Sequence, residues 1–386
     1  MMKEKIIKQA VVIGAGPSGS TIARVLAESG FKVTIYEKRD TIAGNLYDYM
    51  EEGIRVQPYG PHIFHTNDKE VFDFLGQFTK WYHYEHRVKG VINGKIVPIP
   101  FNHTSMSILF GEKKANYFSS ILKKDFAGKD RTTIMNLLEH NNPDIKQLGQ
   151  FVYEKVFRKY TSKQWGLRLQ DLSPAVGSRV PVCFSKEDRY FMDKYQFMPE
   201  DGFTTLFERM LDHPNISIVL HTSFEDIFKI KGNMILKDNT EVICPIIFTG
   251  CIDQLFDYQY GQLPYRTLKF EFKKYNKTSV LKAATVNHPN ANLFTRISEF
   301  NKFTTKTPTR GISICAKEYP SAYKLGDIPY YPVETTSSLQ TYNKYLKLTS
   351  KIKNFYLLGR LANYHYINID QAVKKALILG KKIAEK

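Results

Sequence analysis

An apolar run, Ala10 to Ile13, leads straight into Gly14-Ala-Gly16-Pro17-Ser18-Gly19. Ile22, Val25 and Leu26 then recur at helical spacing, Gly30 stops that helix, and a second apolar run, Lys32 to Tyr36, delivers Glu37 eighteen residues after Gly19. Strand, glycine turn, helix, strand and acid within about thirty residues is the βαβ pattern of a dinucleotide site. Each position has a physical task. Gly14 permits the tight turn, Gly16 lets backbone approach a pyrophosphate, and Gly19 lets helix and sheet pack closely. The helix N-terminus offers unpaired N–H groups and a positive dipole end to the phosphates. Glu37 is placed to accept from ribose hydroxyls, which disfavours a 2′-phosphate and leaves FAD or NAD ahead of NADP.

The next residues favour FAD. Glu37-Lys38-Arg39, followed by Ala43-Gly44-Asn45, is similar to the stretch in many FAD oxidoreductases that passes near the flavin diphosphate, with Ala43 in place of the first glycine of that pair. An ordinary Gly-Asn turn is the plainer alternative.

Composition narrows the class. The chain has 386 residues, 42% of them hydrophobic and 13% aromatic, so it is neither disordered nor short of core. Its 55 basic and 38 acidic residues leave a net charge of +17, but the lysines are scattered and no basic block of six exists, which argues against nucleic acid as the partner. Four cysteines (Cys183, Cys244, Cys251, Cys315) form no CxxC pair and no zinc spacing, so neither a disulfide scaffold nor a metal site is expected. No apolar stretch has the length of a membrane span and no leader is evident, so a soluble cytoplasmic protein is expected.

Beyond residue 100 the simple strand–helix alternation stops. Lys113 to Lys124, Thr132 to His140 and Lys146 to Tyr160 read as helices of an insertion, and Val180 to Phe184 as a short strand. Phe203 to Leu211 carries apolar residues at i, i+3, i+4, i+7 and i+8, an amphipathic helix. Ile216–Leu220, Met234–Leu236 and Val242–Phe248 read as strands, residues 263 to 320 as several antiparallel strands, Phe355–Leu358 as a late strand, and Ala372 to Leu377 as part of a terminal helix. The predicted fold class is α/β: a Rossmann-like dinucleotide domain with a helical insertion and an antiparallel sheet domain. The dinucleotide domain is expected to be discontinuous, from 1–88, 203–250 and 350–386. The helical part is assigned to 101–177, and the sheet part to 89–100, 178–202 and 251–349.

Four segments concentrate chemistry. Tyr59-Gly60-Pro-His62-Ile-Phe-His65-Thr-Asn67 has paired histidines without a third metal ligand, so it reads as packing against a ring system or as a core turn. Tyr160-Thr161-Ser-Lys-Gln-Trp165-Gly166 carries one of two tryptophans, set either to stack on a base or sugar or to anchor the helix. Arg179, Arg266 and Arg296 sit among apolar or aromatic neighbours, a setting for diphosphate recognition or for plain surface strands. Tyrosines cluster at Tyr319, at Tyr330-Tyr331, and at Tyr364 and Tyr366 behind Gly359-Arg360, where hydroxyls suit phosphate and sugar oxygens.

Together these residues resemble the UDP-galactopyranose mutase family. GAGPSG with EKR, YGPHIFHTN, YTSKQWG, RVPV, YRTLKFE, TRISE, KEYP, PYYPV and GRLANYHY run in order from residue 14 to about 371. The resemblance implies a flavoenzyme that interconverts the pyranose and furanose forms of a UDP-sugar, through capture of the sugar by N5 of reduced FAD, with NADH or NADPH as reductant. It implies that Arg179, on a mobile loop, and Arg296 reach the substrate diphosphate. Tyr190, Tyr331 and Tyr366 bind its oxygens, with Tyr160, Thr161 and Trp165 beside uridine and sugar. It places His65 and Arg266 toward the flavin and Glu318 near the sugar. It makes Arg179, Arg296, His65 and Glu318 the candidate catalytic residues. Gly14, Gly16, Pro17, Ser18, Gly19, Glu37, Lys38, Arg39, Gly44, Asn45, His62, Arg266, Gly359, Arg360 and Asn368 become the cofactor set, and Asn368 is also a substrate residue. A homodimer is implied.

Three positions depart from the family pattern: Asn368 for an aspartate, Ala43 for a glycine, and Cys183 for an arginine. They keep open another UDP- or dTDP-linked sugar. A flavin amine oxidase-like oxidoreductase is the rival from another reaction class.

Overall fold

The computed structural model describes residues 8–168, 181–304 and 311–386. Five parallel strands form the first sheet, in the order Ile216–Val219, Lys32–Tyr36, Gln9–Ile13, Ile246–Phe248 and Phe355–Leu357. The strand predicted from Ala10 starts one residue earlier, and Lys32–Tyr36 falls where its β-branched pattern puts it. Val12, Ile22, Leu26, Ile35 and Ile247 are buried together between this sheet and the flanking helices Pro17–Glu28 and Ile369–Ala384. The first strand is central, with its partners drawn from residues 32 to 248, so the glycine turn after it opens at the carboxyl edge of the sheet.

A second sheet has seven strands, ordered Tyr331–Pro332, Tyr265–Tyr275, Ser313–Ala322, Arg296–Glu299, Thr285–Asn287, Val88–Ile92 and Lys95–Ile99. It is mixed rather than wholly antiparallel: Thr285–Asn287 runs parallel to Val88–Ile92. That junction joins two hairpin systems nearly two hundred residues apart, and no hairpin turn constrains its direction. The strands near residue 190 pair elsewhere. Val182–Cys183 pairs with Arg131–Thr132 beside the helices, and Tyr195–Pro199 pairs with Phe64–Thr66 and Trp81–His83 in a three-stranded sheet.

The helical region runs His103–Phe110, Glu112–Asp125, Ile134–Leu138 and Pro143–Val152. The single helix expected over Lys146 to Tyr160 is three pieces: its first part ends at Val152, Tyr153–Arg158 is a π-helical turn, and Lys159–Trp165 resumes the α-helix. One wide turn rotates everything after it relative to the preceding helix, and this rotation sets which side chains reach the cavity described next. No helix among the described residues is long and apolar enough to cross a membrane.

Candidate active site

Two cavities meet at one rim. The first lies at the carboxyl ends of the parallel strands. It is lined by Gly14, Gly16, Pro17, Ser18 and Gly19, by Glu37, Lys38 and Arg39, by Gly44 and Asn45, and by His62, Gly359, Arg360 and Asn368. Its floor has no space for side chains. Gly14 has φ +100°, and a Cβ there would stand 2.2 Å from Thr249 Oγ1. A Cβ on Gly44 would lie 3.0 Å from the Cα of Gly16, so the two segments meet backbone to backbone. Glu37 is buried, with one oxygen taking the Ala15 N–H at 2.7 Å and the other the Arg39 N–H at 3.0 Å. The carboxylate thereby braces the glycine turn and keeps lone pairs for a ribose diol.

Arg39 lies over the Tyr59 ring at 4.5 Å and donates to Asn45 Oδ1 at 2.8 Å. Its Nη1 is buried with no partner among the described residues. A buried guanidinium donor left open is costly unless a ligand oxygen completes it. Bare backbone at a helix start, a braced acid and this open donor fit an adenine dinucleotide.

The second cavity opens from the first. His62, Arg360, Asn368 and Ile369 line both. Its remaining walls come from distant segments: His65; His86; Tyr160, Thr161, Gln164 and Trp165; Tyr190 and Phe191; Asn287; Arg296; Tyr331; and Tyr366. Trp165, Tyr331 and Tyr366 form an aromatic triad with centroids 5.6, 5.7 and 6.1 Å apart. Arg360 lies 4.6 Å from the Tyr366 ring centroid and 5.6 Å from that of Tyr331, and its guanidinium donates to the carbonyls of Ile367 and Tyr330.

The helix that carries Tyr160 and Trp165 is fastened by two cations. Lys163 Nζ donates to the carbonyls of His288, Ala291 and Phe294 at 2.9, 2.8 and 2.7 Å. Arg266 donates to the carbonyls of Gln164 and Lys163, satisfying orphan acceptors at the helix end.

Arg296 is the cationic centre of the wall. It stands opposite Glu318 across neighbouring strands, and both Nε and Nη2 lie 2.8 Å from Glu318 Oε2. Glu318 is 1% exposed, and its other oxygen accepts from Thr295 Oγ1 at 3.0 Å. Burial works against the arginine's charge, but the Glu318 carboxylate beside it holds it firmly protonated. Burial pushes the Tyr331 hydroxyl up to about 12 and Tyr160 upward as well, so both remain neutral donors. Burial, with Arg360, lowers His62 to about 3, and burial, with Arg296, lowers His86 to about 3. The cavity therefore presents fixed positive charge with neutral imidazoles and phenols around it, an arrangement for an anionic ligand.

The structure brings most of the sequence-read residues to these two cavities. Arg266 and Glu318 line neither one: Arg266 caps a helix end, and Glu318 lies behind Arg296. Arg179 falls outside the described residues. Several lining residues were not singled out from sequence. Gln164 Oε1 and Asn287 Oδ1 are both buried without a partner among the described residues, and both residues line the second cavity. Gln164 lay inside the Trp165 motif, whereas nothing marked Asn287 in its strand. Thr249 to Cys251, behind the strand Ile246–Phe248, line the first cavity, and the Thr-Gly pair at that strand end was the available signal. No group of three His, Cys, Asp or Glu among the described residues could hold a metal ion.

The comparisons with known proteins agree along the chain. A family model described as UDP-galactopyranose mutase matches residues 155–366, and one described as an NAD(P)-binding Rossmann-like domain matches 12–78. The UDP-galactopyranose mutase of Mycoplasma pneumoniae is 34% identical over 383 residues, covering 97% of this chain and 96% of that protein. The dTDP-fucopyranose mutase of Escherichia coli is also 34% identical, covering 96% of this chain and 97% of that one. A solved structure of reduced UDP-galactopyranose mutase superimposes with a TM-score of 0.73 at 17% identity, covering 99% of this chain and 94% of that one. A putrescine oxidase shares the fold at a TM-score of 0.55 and 11% identity, covering 98% and 99%. The fold is thus shared beyond this family, whereas the matched 155–366 region holds Tyr160, Trp165, Tyr190, Arg296, Tyr331 and Tyr366 of the second cavity. On that match and on near-complete coverage by relatives above 30% identity, the chain belongs to the UDP-galactopyranose mutase family.

Proposed function

We propose that the protein is an FAD-dependent mutase that interconverts the pyranose and furanose forms of a UDP-sugar, with UDP-galactose as the leading substrate. The observation that carries this reading is the shared rim. Arg360, His62 and Asn368 line both the glycine-floored cavity and the arginine- and tyrosine-walled one, so a sugar diphosphate in the second meets the end of a dinucleotide in the first.

Gly14, Gly16, Ser18 and the helix start would hold the FAD diphosphate, Glu37 the ribose, and Arg39 an adjacent oxygen. Reduced FAD, when bound, supplies a nucleophile for the sugar carbon that UDP leaves. This chain's residues hold the departing nucleotide. Arg296, kept charged and aimed by Glu318, takes diphosphate oxygens, and the hydroxyls of Tyr160, Tyr190, Tyr331 and Tyr366 donate to the same group. By family resemblance Arg179 joins them. Trp165 and the tyrosine rings wall the sugar and exclude water. No strong side-chain acid or base is required.

The test is incubation of dithionite-reduced protein with UDP-galactofuranose, followed by chromatography. The expected product is UDP-galactopyranose, with no conversion by the oxidised protein. The equal identity to a dTDP-fucopyranose mutase favours including dTDP-fucose as a second substrate. Failure to convert either sugar, or net sugar oxidation with oxygen uptake, sinks the mutase reading. NAD(P)H as the reductant and a cytoplasmic homodimer belong to the same proposal; anaerobic flavin bleaching and sedimentation check them.

A further inference from the structure

Three histidines line the second cavity, and they are held differently. His62 has Nδ1 2.8 Å from the Gly60 carbonyl, and His86 has Nδ1 3.3 Å from the Tyr84 hydroxyl. His65 alone meets a carboxylate: its Nδ1 is 2.8 Å from Asp193 Oδ2. Asp193 is 128 residues further along the chain and is not itself a lining residue of the cavity.

The pair is constrained from every side. Phe191 stacks on the His65 ring with centroids 3.7 Å apart and planes 13° from parallel. Asp193 Oδ1 takes Asn67 Nδ2 at 2.8 Å, and Asn67 Oδ1 in turn accepts the Lys194 N–H at 2.8 Å. Gln196, opposite His65 in the strand register, donates to the carbonyls of Phe191 and Asp193. A surface ion pair of convenience has no such scaffold and contributes little. Here two strands, one stacked ring and four contacts of the Asn67 and Gln196 amides fix one carboxylate against one imidazole nitrogen.

We propose that Asp193 is a positioning residue that holds His65 as its Nδ1–H tautomer and so presents Nε2 to the cavity as a hydrogen-bond acceptor for a ligand hydroxyl. The step in the argument is tautomer chemistry. A carboxylate accepts and does not donate, so the bonded Nδ1 carries a proton; in the neutral imidazole the remaining nitrogen then keeps its lone pair, whereas an imidazolium would offer a second N–H. The donors around the cavity are already numerous: Arg296, Arg360 and the tyrosines all offer protons to an anion. A sugar hydroxyl needs an acceptor as well, and Nε2 has no hydrogen-bond partner among the described residues. The hydrogen bond from His65, ahead of burial, pulls the Asp193 carboxyl below its usual range, as expected for a carboxylate engaged in its charged form.

The assignment of a sugar hydroxyl rests on the mutase reading, but the tautomer does not, so the two can fail separately. Long-range 1H–15N correlation spectra of the protein without substrate are expected to show His65 with a protonated Nδ1 and an unprotonated Nε2. A protonated Nε2 in the wild-type protein overturns the proposal without any variant being made. In Asp193→Ala the His65 proton is expected to move to Nε2 or to average between the nitrogens. Turnover of the nucleotide sugar is expected to fall about tenfold, the lower end of what loss of a histidine's orienting partner costs, with KM nearly unchanged. In a His65→Ala background, Asp193→Ala is expected to cost no further activity. Losses that multiply in the double variant, or an unmoved tautomer in Asp193→Ala, overturn it.

Discussion

The two cavities are made of different materials. The first cavity is floored by backbone: Gly14, Gly16 and Gly44 form it, and its one braced acid takes main-chain N–H groups. The second cavity is walled by side chains, and each important one is held by another: Arg296 by Glu318, His65 by Asp193, and the Trp165 helix by Lys163 and Arg266. A backbone site depends on what is absent, a Cβ, and tolerates no addition. A side-chain site depends on supports outside it and is weakened by removing them.

Gly14→Ala attacks the first kind and is expected to have the largest effect. The new methyl meets Thr249 Oγ1 at 2.2 Å, and the backbone at φ +100° adds strain of about 1–2 kcal/mol for a non-glycine residue. The purified protein is expected to lack flavin absorbance and therefore all turnover. Full flavin content in this variant breaks the comparison at its base.

Arg296→Ala attacks the second kind. Turnover is expected to fall about 10²- to 10³-fold, the usual cost of one donor to a developing charge, with flavin retained. It also leaves Glu318 buried without its cation, so a stability loss of about 3 kcal/mol is expected in thermal or denaturant unfolding. Glu318→Gln separates the roles. It keeps a partner for Thr295 but loses the charge that aims the guanidinium, so a smaller loss of turnover is expected than in Arg296→Ala. An equal or larger loss places Glu318 in contact with the ligand rather than behind it.

The same contrast governs what the sequence could tell. The βαβ unit was legible to within a residue because every position from Ala10 to Glu37 obeys a local rule of turn, helix or strand. The amphipathic helix at Gly202–Leu211 was legible for the same reason. The junction of Thr285–Asn287 with Val88–Ile92 was not, since register between remote strands has no local signature. The π-turn at Tyr153–Arg158 was hidden because apolar spacing does not distinguish one wide turn from a continuous helix. Motif resemblance named residues that line the second cavity and two that stand behind the walls: Glu318, the cross-strand partner of Arg296, and Arg266, which caps a helix end. Asp193 carried no motif at all; only the fold brings it to His65.

The neutral histidines give a test in pH. Burial first, then Arg296, lowers His86 to about 3, below its value in the unfolded chain. Between pH 6.5 and about 3 the unfolded chain therefore binds a proton that the folded protein does not. Stability is complete above pH 6.5 and is lost as pH falls, by about 2 kcal/mol at pH 5 for one such histidine. His86→Gln cannot titrate, so its stability is expected to fall less steeply over that interval in urea unfolding at stepped pH. An unchanged slope means His86 is not held neutral by its surroundings.

The smallest effect is expected where the two materials meet. Asn368 stands at the N-cap of the terminal helix, where Gln371 Oε1 accepts its N–H at 3.0 Å, and it lines both cavities. Asn368→Asp installs the residue that the family resemblance implies at this position. Asparagine and aspartate cap equally well, and a carboxylate gains from the helix dipole by about 0.3–1 kcal/mol, so stability is expected to hold or rise slightly. The new charge shares the rim with Arg360 but, on the proposed function, also meets two anionic ligands, and these effects oppose each other. The kcat/KM for UDP-galactofuranose is therefore expected to change by about threefold or less, under 1 kcal/mol. A larger change confined to one sugar in a panel of UDP- and dTDP-linked substrates makes this rim residue a determinant of specificity. In that case the boundary of the cavities, and not the arginine wall, is where this chain departs from its relatives.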